Sequence, residues 1–144
     1  MSTRANIVIK NGEEKLFFYR HSDGYPDGTL PTLNKFIDWV KSGKIRDNVS
    51  QAAGWPIILG ALEYDTLPEA PKNTDKYGCN VQVSEIKEPK DWKAGAYEPT
   101  TGIHGDIEYL YLVDLAKKSV KCYKDWTEEG EGINQVKIKN DETT

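Results

Sequence analysis

Cysteine, long apolar runs and an excess of basic charge are all missing from this sequence, and each shortage removes a class of protein. Only two cysteines occur, Cys79 and Cys122, and their separation matches no zinc or redox motif. No apolar run approaches the roughly 18–20 residues of a membrane span, and residues 1–9 lack the apolar core of a signal peptide. The 19 basic residues are outnumbered by 23 acidic ones, so a general nucleic-acid binder is not expected. We therefore expect a cytoplasmic protein with no membrane contact.

The aromatic residues and the length are sufficient for one compact domain. Four Trp, eight Tyr and three Phe in 144 residues argue against disorder. Ala5–Lys10 and Lys15–His21 read as strands, and Asn11-Gly12 between them predicts a hairpin with a type I′ turn. Residues 22–28 are dense in turn formers and predict a loop.

Helices are predicted in the next part of the chain. Thr29 or Thr32 is the expected cap of a first helix, with Pro31 in its first turn. Asp47 is the expected cap of a second helical stretch, which Pro56 interrupts before it resumes. The first helix has an apolar stripe at the i, i+3, i+4, i+7 spacing of a face that packs on a core: Leu33, Phe36, Ile37 and Val40.

Strands return in the second half of the sequence. Apolar and polar residues alternate over Cys79–Val83, which predicts a strand. Asp106–Leu115 carries bulky residues on both faces, as a covered central strand does, and Ser119–Tyr123 is expected to return beside it as a partner strand. The element order predicts an α+β fold, an antiparallel sheet with two to three helices packed on one face. We expect one domain over residues 1–126. Residues 127–144 are expected to form an acidic segment, with an edge strand around Ile133–Ile138 and then a frayed tail.

Two short motifs carry a resemblance. The chain starts Met-Ser-Thr-Arg, and residues 19–26 read Tyr-Arg-His-Ser-Asp-Gly-Tyr-Pro. In these it resembles a family of small phage and mobile-element proteins, which share a Met-Gly/Ser-Thr-Arg start and a motif of aromatic-x-His-x-Asp-Gly-Tyr-Pro. The resemblance covers the first thirty residues well and the strand at residues 109–113 loosely, and Arg20 stands where many relatives have a smaller residue. No activity belongs to the family as a whole, so the resemblance implies a phage origin, and with it the host cytoplasm, more than a mechanism.

Both histidines of the chain lie two residues before an aspartate. His21 precedes Asp23, and His104 precedes Asp106. In extended chain, residues i and i+2 point to one side, so two such pairs could form a two-His, two-carboxylate metal site or a carboxylate-oriented general base. The simpler interpretation is that the aspartates organise turns. We expect no bound metal and no cofactor.

A second set of residues suits an anion. Folding the hairpin about its turn brings Arg4 towards Arg20 and His21, within a residue or two of register. Tyr19 and Tyr25 are close to them in sequence. Guanidinium groups match phosphate oxygens bidentately, and tyrosine rings can stack on a base. The alternative is that the arginines pair with nearby aspartates in a solvated turn.

These patterns leave three functions open. The favoured one is a non-enzymatic binding protein that sequesters a phosphate-bearing, nucleotide-like ligand at Arg4, Arg20 and His21, as a sponge in phage counter-defence. Asp23, Tyr25, His104 and Asp106 are further candidate ligand contacts. The alternatives are a metal-dependent hydrolase or nuclease built on the two His-x-Asp pairs, and an acidic inhibitor of a host defence protein. A homo-oligomer is compatible with each of them.

Overall fold

The computed structural model describes residues 3–68, 86–90 and 96–136. Within these ranges the chain forms six strands and three helices, one of them a single turn. In chain order the elements are β1 (Ala5–Asn11), β2 (Glu14–Arg20), α1 (Pro26–Lys41), α2 (Val49–Ala52), α3 (Gly54–Glu63), β3 (Glu98–Thr100), β4 (Tyr109–Asp114), β5 (Ser119–Trp126) and β6 (Gly132–Gln135).

The strands form one mixed sheet in the order β3-β2-β1-β4-β5-β6, which confirms the α+β fold. Every neighbouring pair is antiparallel except β1 and β4, which run parallel. The expectation of an entirely antiparallel sheet was therefore wrong at this pair. Alternation along a strand carries no information about its direction. β2 returns the chain to the end of the sheet at which β1 begins, and β4 starts from that same end, so β4 runs parallel to β1.

The N-terminal hairpin forms with its turn one residue later than predicted. Asn11 pairs with Glu14 in the strands, and the two-residue loop is Gly12-Glu13. Gly12 has a φ of +63°, but Glu13 is not among the described residues with a positive φ. A type I′ turn needs a positive φ at both loop residues, so the predicted type I′ turn was wrong. The Asn11 side chain donates a 2.8 Å hydrogen bond to the carbonyl of Asp47, which keeps Asn11 in the strand rather than in the turn.

The predicted apolar stripe of α1 is buried, and the helices pack on one face of the sheet. Leu33, Phe36, Ile37 and Val40 belong to one core cluster with residues of β1, β2 and β4. The helix begins earlier than predicted, at Pro26 after Tyr25, because proline at the first position needs no hydrogen-bond acceptor.

The helices that follow α1 also differ in detail from the prediction. The cap of α2 is Asn48 rather than Asp47, and its side chain accepts a 3.2 Å hydrogen bond from the backbone N–H of Gln51. Pro56 lies in the first turn of α3, where backbone N–H groups have no partner within the helix, so it does not break α3.

The acidic C-terminal segment contributes to the sheet. Residues 132–135 form the edge strand β6, as expected, and Val136 N–H donates to the Cys122 carbonyl. The loop before β6 folds over the face of the sheet opposite the helices. There Gly130 lies so close to Val8 and Phe17 that a Cβ would come within 3.1 Å of each. The predicted strand at residues 79–83 and the tail beyond residue 136 lie outside the described residues.

Across the described ranges, no helix is both long enough and apolar enough to span a membrane.

Candidate functional site

The candidate site lies at one end of the sheet face that is turned away from the helices. Asn6, Tyr19 and Glu98 stand opposite one another on β1, β2 and β3 and therefore share this face. Tyr19 is 2% exposed and forms the floor of the site. Because the three side chains come from three paired strands, their relative positions are set by backbone hydrogen bonds.

Asp106 ties Tyr19 to the N-terminal segment. The Tyr19 hydroxyl donates to the Asp106 carboxylate, with distances of 3.1 and 3.0 Å to its two oxygens. Arg4 Nε lies 3.5 Å from Asp106 Oδ2. Burial, followed by the hydrogen bond to Asp106, raises the pKa of Tyr19, so its hydroxyl stays protonated and acts as a donor. Arg4 and Asp106 are about half-exposed, so both can reach a ligand.

Both histidines of the chain contact the Tyr19 ring. His104 stacks on it with ring centroids 3.9 Å apart and an interplanar angle of 16°. His21 meets it edge-on, at 4.5 Å and 84°. His21 Nε2 also lies 3.4 Å from a carboxylate oxygen of Glu98, and His104 Nε2 lies 3.0 Å from the hydroxyl of Thr100. We call these six residues the Tyr19 cluster: Arg4, Tyr19, His21, Glu98, His104 and Asp106.

A buried amide positions the loop that carries His104 and Asp106. Asn6 accepts a 2.8 Å hydrogen bond from the backbone N–H of His104 at its Oδ1. Its Nδ2 donates to the carbonyls of Phe18, at 2.9 Å, and Gly102, at 3.4 Å. Sequence reasoning missed both Asn6 and Glu98. Asn6 had a signal, since it is the one polar residue inside the run Ala5–Ile9, whereas the short strand of Glu98 had none.

Arg20 is not part of the cluster. Its side chain is fully buried on the helix side, where the guanidinium binds the Glu63 carboxylate and lies 4.9 Å from the centroid of the Tyr97 ring. Burial alone would lower the pKa of Arg20, but the hydrogen bond and charge of Glu63 raise it overall. Neighbouring residues of a strand point to opposite faces, so Arg20 cannot share a face with Tyr19 and His21.

Asp23 and Tyr25 serve the loop between β2 and α1. Asp23 has a φ of +59°, and its carbonyl accepts a 2.8 Å hydrogen bond from the Thr29 hydroxyl. Tyr25 is the residue before α1, and its carbonyl accepts from the N–H groups of Gly28 and Thr29. Of the eight predicted site residues, the structure brings five together in the Tyr19 cluster and places Arg20, Asp23 and Tyr25 in other structural roles.

The cluster is rich in proton donors and acceptors. It combines one guanidinium, two carboxylates, two imidazoles and a tyrosine hydroxyl. Among the residues that the structure describes, no group of three or more His, Cys, Asp and Glu side chains is arranged to hold a metal ion. These donors and acceptors are suited to hydrogen bonding, charge pairing and proton transfer.

Comparisons with protein-family models, with curated proteins and with solved structures found no match to this chain. The resemblance to small phage proteins accordingly stays a prediction.

Proposed function

We propose that this protein binds a phosphate-bearing, nucleotide-like small molecule at the Tyr19 cluster. The observation that carries the proposal is the convergence of Arg4, His21 and His104 on one buried tyrosine, although the two histidines are 83 positions apart in the sequence. Polar side chains that come from distant parts of the sequence and stay partly exposed are typical of a ligand site, because packing of the core alone does not require them to meet.

The cationic end of the site is suited to phosphate. Arg4 is 45% exposed, and its closest approach to Asp106 is 3.5 Å, longer than the 2.7–2.9 Å of a charge-assisted hydrogen bond. His21 is 56% exposed and is held at a similar distance from Glu98. Arg4 and His21 therefore both give up little when they turn towards a phosphate, whose oxygens a guanidinium binds bidentately.

The acidic side chains would recognise the rest of the ligand. Asp106 and Glu98 can accept hydrogen bonds from ribose hydroxyls or from an exocyclic amino group of a base. Tyr19 is fixed between Asp106 and the two imidazoles, so little of the site has to be ordered on binding. In a phage-encoded protein such a site would act as a sponge for a nucleotide signal of host defence.

Calorimetric titration with linear nucleotides, cyclic nucleotides and nucleotide sugars tests the proposal. Arg4→Ala should weaken phosphate-dependent binding by about ten- to a hundredfold, because charge-assisted hydrogen bonds contribute roughly 1.5–3 kcal/mol. Arg4→Lys should recover only part of that loss, since it keeps the charge but not the planar fork. Arg46→Ala is the matched control, because it removes the same charge from an exposed position between α1 and α2.

Two results would overturn the proposal. One is that no compound binds more tightly than millimolar, and the other is that Arg4→Ala behaves like Arg46→Ala. Either result favours the alternative of an acidic inhibitor, for which the exposed Glu128, Glu129 and Glu131 beside β6 are the available surface.

A further inference from the structure

The geometry points to a catalytic activity at the same cluster. We propose that the protein cleaves single-stranded RNA without a metal ion, by attack of a ribose 2′-hydroxyl on the adjacent phosphodiester. This inference rests on the proposed function, because the scissile phosphate would occupy the phosphate position beside Arg4. It differs from that function in predicting turnover rather than retention of the ligand.

The reaction needs three groups, and the cluster has a residue for each. A base must take the proton of the 2′-hydroxyl, an acid must protonate the departing 5′ oxygen, and a cation must stabilise charge on the phosphoryl oxygens. The acid and base must stand on two sides of the phosphorus, because the attacking and leaving oxygens are in line. His21 and His104 are separate groups that contact one tyrosine ring in two different geometries, and Arg4 is held beside that ring through Asp106.

His21 is the base in this assignment. With Nε2 directed at Glu98, at 3.4 Å, the neutral ring carries its proton on Nε2 and presents the lone pair of Nδ1. Glu98 is a positioning residue, since a carboxylate beside one ring nitrogen fixes the tautomer and stabilises the imidazolium that forms. The 56% exposure of His21 leaves room for a nucleotide to approach.

His104 is the acid. Stacking on Tyr19, the hydrogen bond between its backbone and Asn6, and the contact of Nε2 with Thr100 fix its ring. When His104 is protonated, Nδ1, the ring nitrogen that does not contact Thr100, carries the proton that is transferred. The ring is therefore oriented before the substrate arrives, as an efficient proton donor has to be.

The step balances with these groups alone. The 2′-hydroxyl gives its proton to His21 as the bond from O2′ to phosphorus forms. The bond from phosphorus to O5′ breaks, and the 5′ oxygen takes the proton of His104. The products are a 2′,3′-cyclic phosphate and a 5′-hydroxyl end, and proton exchange with water restores both histidines.

The charge of the chain limits the substrate. With a net charge of −4 and one arginine in the cluster, the site offers little basic charge to hold a duplex. Short or single-stranded RNA, contacted at one or two phosphates, is the substrate class that fits. DNA lacks the 2′-hydroxyl and cannot react by this route.

The test is cleavage of a fluorogenic oligodeoxynucleotide that contains a single ribonucleotide, by the full chain in excess EDTA. We expect cleavage at the ribonucleotide with a 2′,3′-cyclic phosphate product and a bell-shaped pH dependence. His21→Asn and His104→Phe should each lower the rate by about 10²–10⁴-fold. The phenylalanine keeps a ring on Tyr19, and thermal melting checks that both variants fold. Arg46→Ala should keep the wild-type rate. Loss of cleavage in both histidine variants but not in Arg46→Ala separates the activity from a contaminating nuclease.

A parallel titration with the all-deoxy oligonucleotide distinguishes the two proposals. Binding that depends on Arg4 without any cleavage of the ribonucleotide substrate overturns the catalytic inference and leaves the binding function intact. The absence of cleavage and of oligonucleotide binding, together with no binding in the titration with small nucleotides, overturns both proposals. Cleavage that survives in the two histidine variants, or that EDTA abolishes, also overturns the inference.

Discussion

The buried ion pair between Arg20 and Glu63 gives the sharpest test of the fold, because its two members differ in burial. The Arg20 side chain is 0% exposed, whereas that of Glu63 is 25% exposed. Arg20 Nε also donates a 2.7 Å hydrogen bond to the carbonyl of Ser22. Besides the hydrogen bonds from Arg20, Glu63 accepts one of 3.0 Å from Thr32 in α1. The pair therefore joins β2, the loop after it, α1 and α3.

The two single deletions should differ in cost. Glu63→Leu leaves a guanidinium inside the protein without its counter-ion, and such a change costs roughly 3–5 kcal/mol. Arg20→Met leaves a carboxylate that is already partly in water and keeps its bond to Thr32. The cost of Arg20→Met should therefore be nearer the roughly 1.5–3 kcal/mol of a lost charge-assisted hydrogen bond. The double variant should be more stable than Glu63→Leu alone, since it contains no unpaired buried charge.

Equilibrium unfolding in urea measures all three variants, with Glu88→Leu as the control for loss of an exposed carboxylate. If Glu63→Leu costs less than about 1 kcal/mol, or less than Arg20→Met, the guanidinium is not held inside the protein as described. A double variant no more stable than Glu63→Leu would mean that Arg20 and Glu63 have no measurable interaction energy, and would equally contradict a buried ion pair.

Single buried side chains give four further tests. Phe36→Ala should lower the unfolding free energy by about 3–5 kcal/mol, and a cost below about 1 kcal/mol would contradict the burial of the α1 stripe. The Tyr97 hydroxyl is buried and makes no hydrogen bond of normal geometry among the described residues, so Tyr97→Phe should cost less than Tyr111→Phe at pH 7. Tyr111→Phe loses a 2.6 Å hydrogen bond to the Gly24 carbonyl and should lower the unfolding free energy by about 1 kcal/mol. Equal costs for Tyr97→Phe and Tyr111→Phe would contradict this difference. Burial raises the pKa of Tyr97 from 10.0 to about 12, so wild type should lose more stability than Tyr97→Phe as the pH rises from 10 to 12. Burial likewise raises the pKa of the Cys122 thiol to about 11. In a variant without the other cysteine, a thiol reagent at pH 8 should therefore label Cys122 only after unfolding, and rapid labelling of the native protein would contradict this.

Local patterns predicted the elements well where one face is buried. The spacing of Leu33, Phe36, Ile37 and Val40 is a property of α1 alone, so it could be read from the sequence without knowledge of the partner surface. The strand pairing of residues 119–123 with β4 follows from proximity along the chain. Helix starts were less certain, because Pro26, Thr29 and Thr32 all offer acceptable first turns and tertiary contacts choose between them.

Contacts between distant segments could not be predicted. Glu63 reaches Arg20 across 43 positions, and Glu98 reaches His21 across 77, in a sequence that offers many other carboxylates. Which carboxylate pairs with which cation depends on the crossover that places β4 parallel to β1 and β3 on the outer side of β2. No local pattern contains that information.

The separation of Arg20 from the cluster, however, was available from the sequence. In an antiparallel hairpin, directly paired residues share a face and successive residues alternate. The predicted register opposed residue 4 to residue 19, and the observed one pairs Ala5 with Arg20, which places residue 4 opposite residue 21. In both registers Arg4, Tyr19 and His21 fall on one face and Arg20 on the other.

The strand segment Tyr19-Arg20-His21 therefore serves both faces of the sheet at once. Tyr19 and His21 present their rings to the candidate site, while Arg20 between them anchors the same stretch of backbone to α3 through Glu63. A slip of one residue in the β1–β2 register would bury His21 and expose the guanidinium, so it would destroy the site and the core together. For this reason the ion pair on the helix side is expected to fix the geometry of the site on the opposite side. Removal of the Arg20–Glu63 ion pair by Arg20→Met should then weaken ligand binding at Arg4, although Arg20 itself does not contact the ligand.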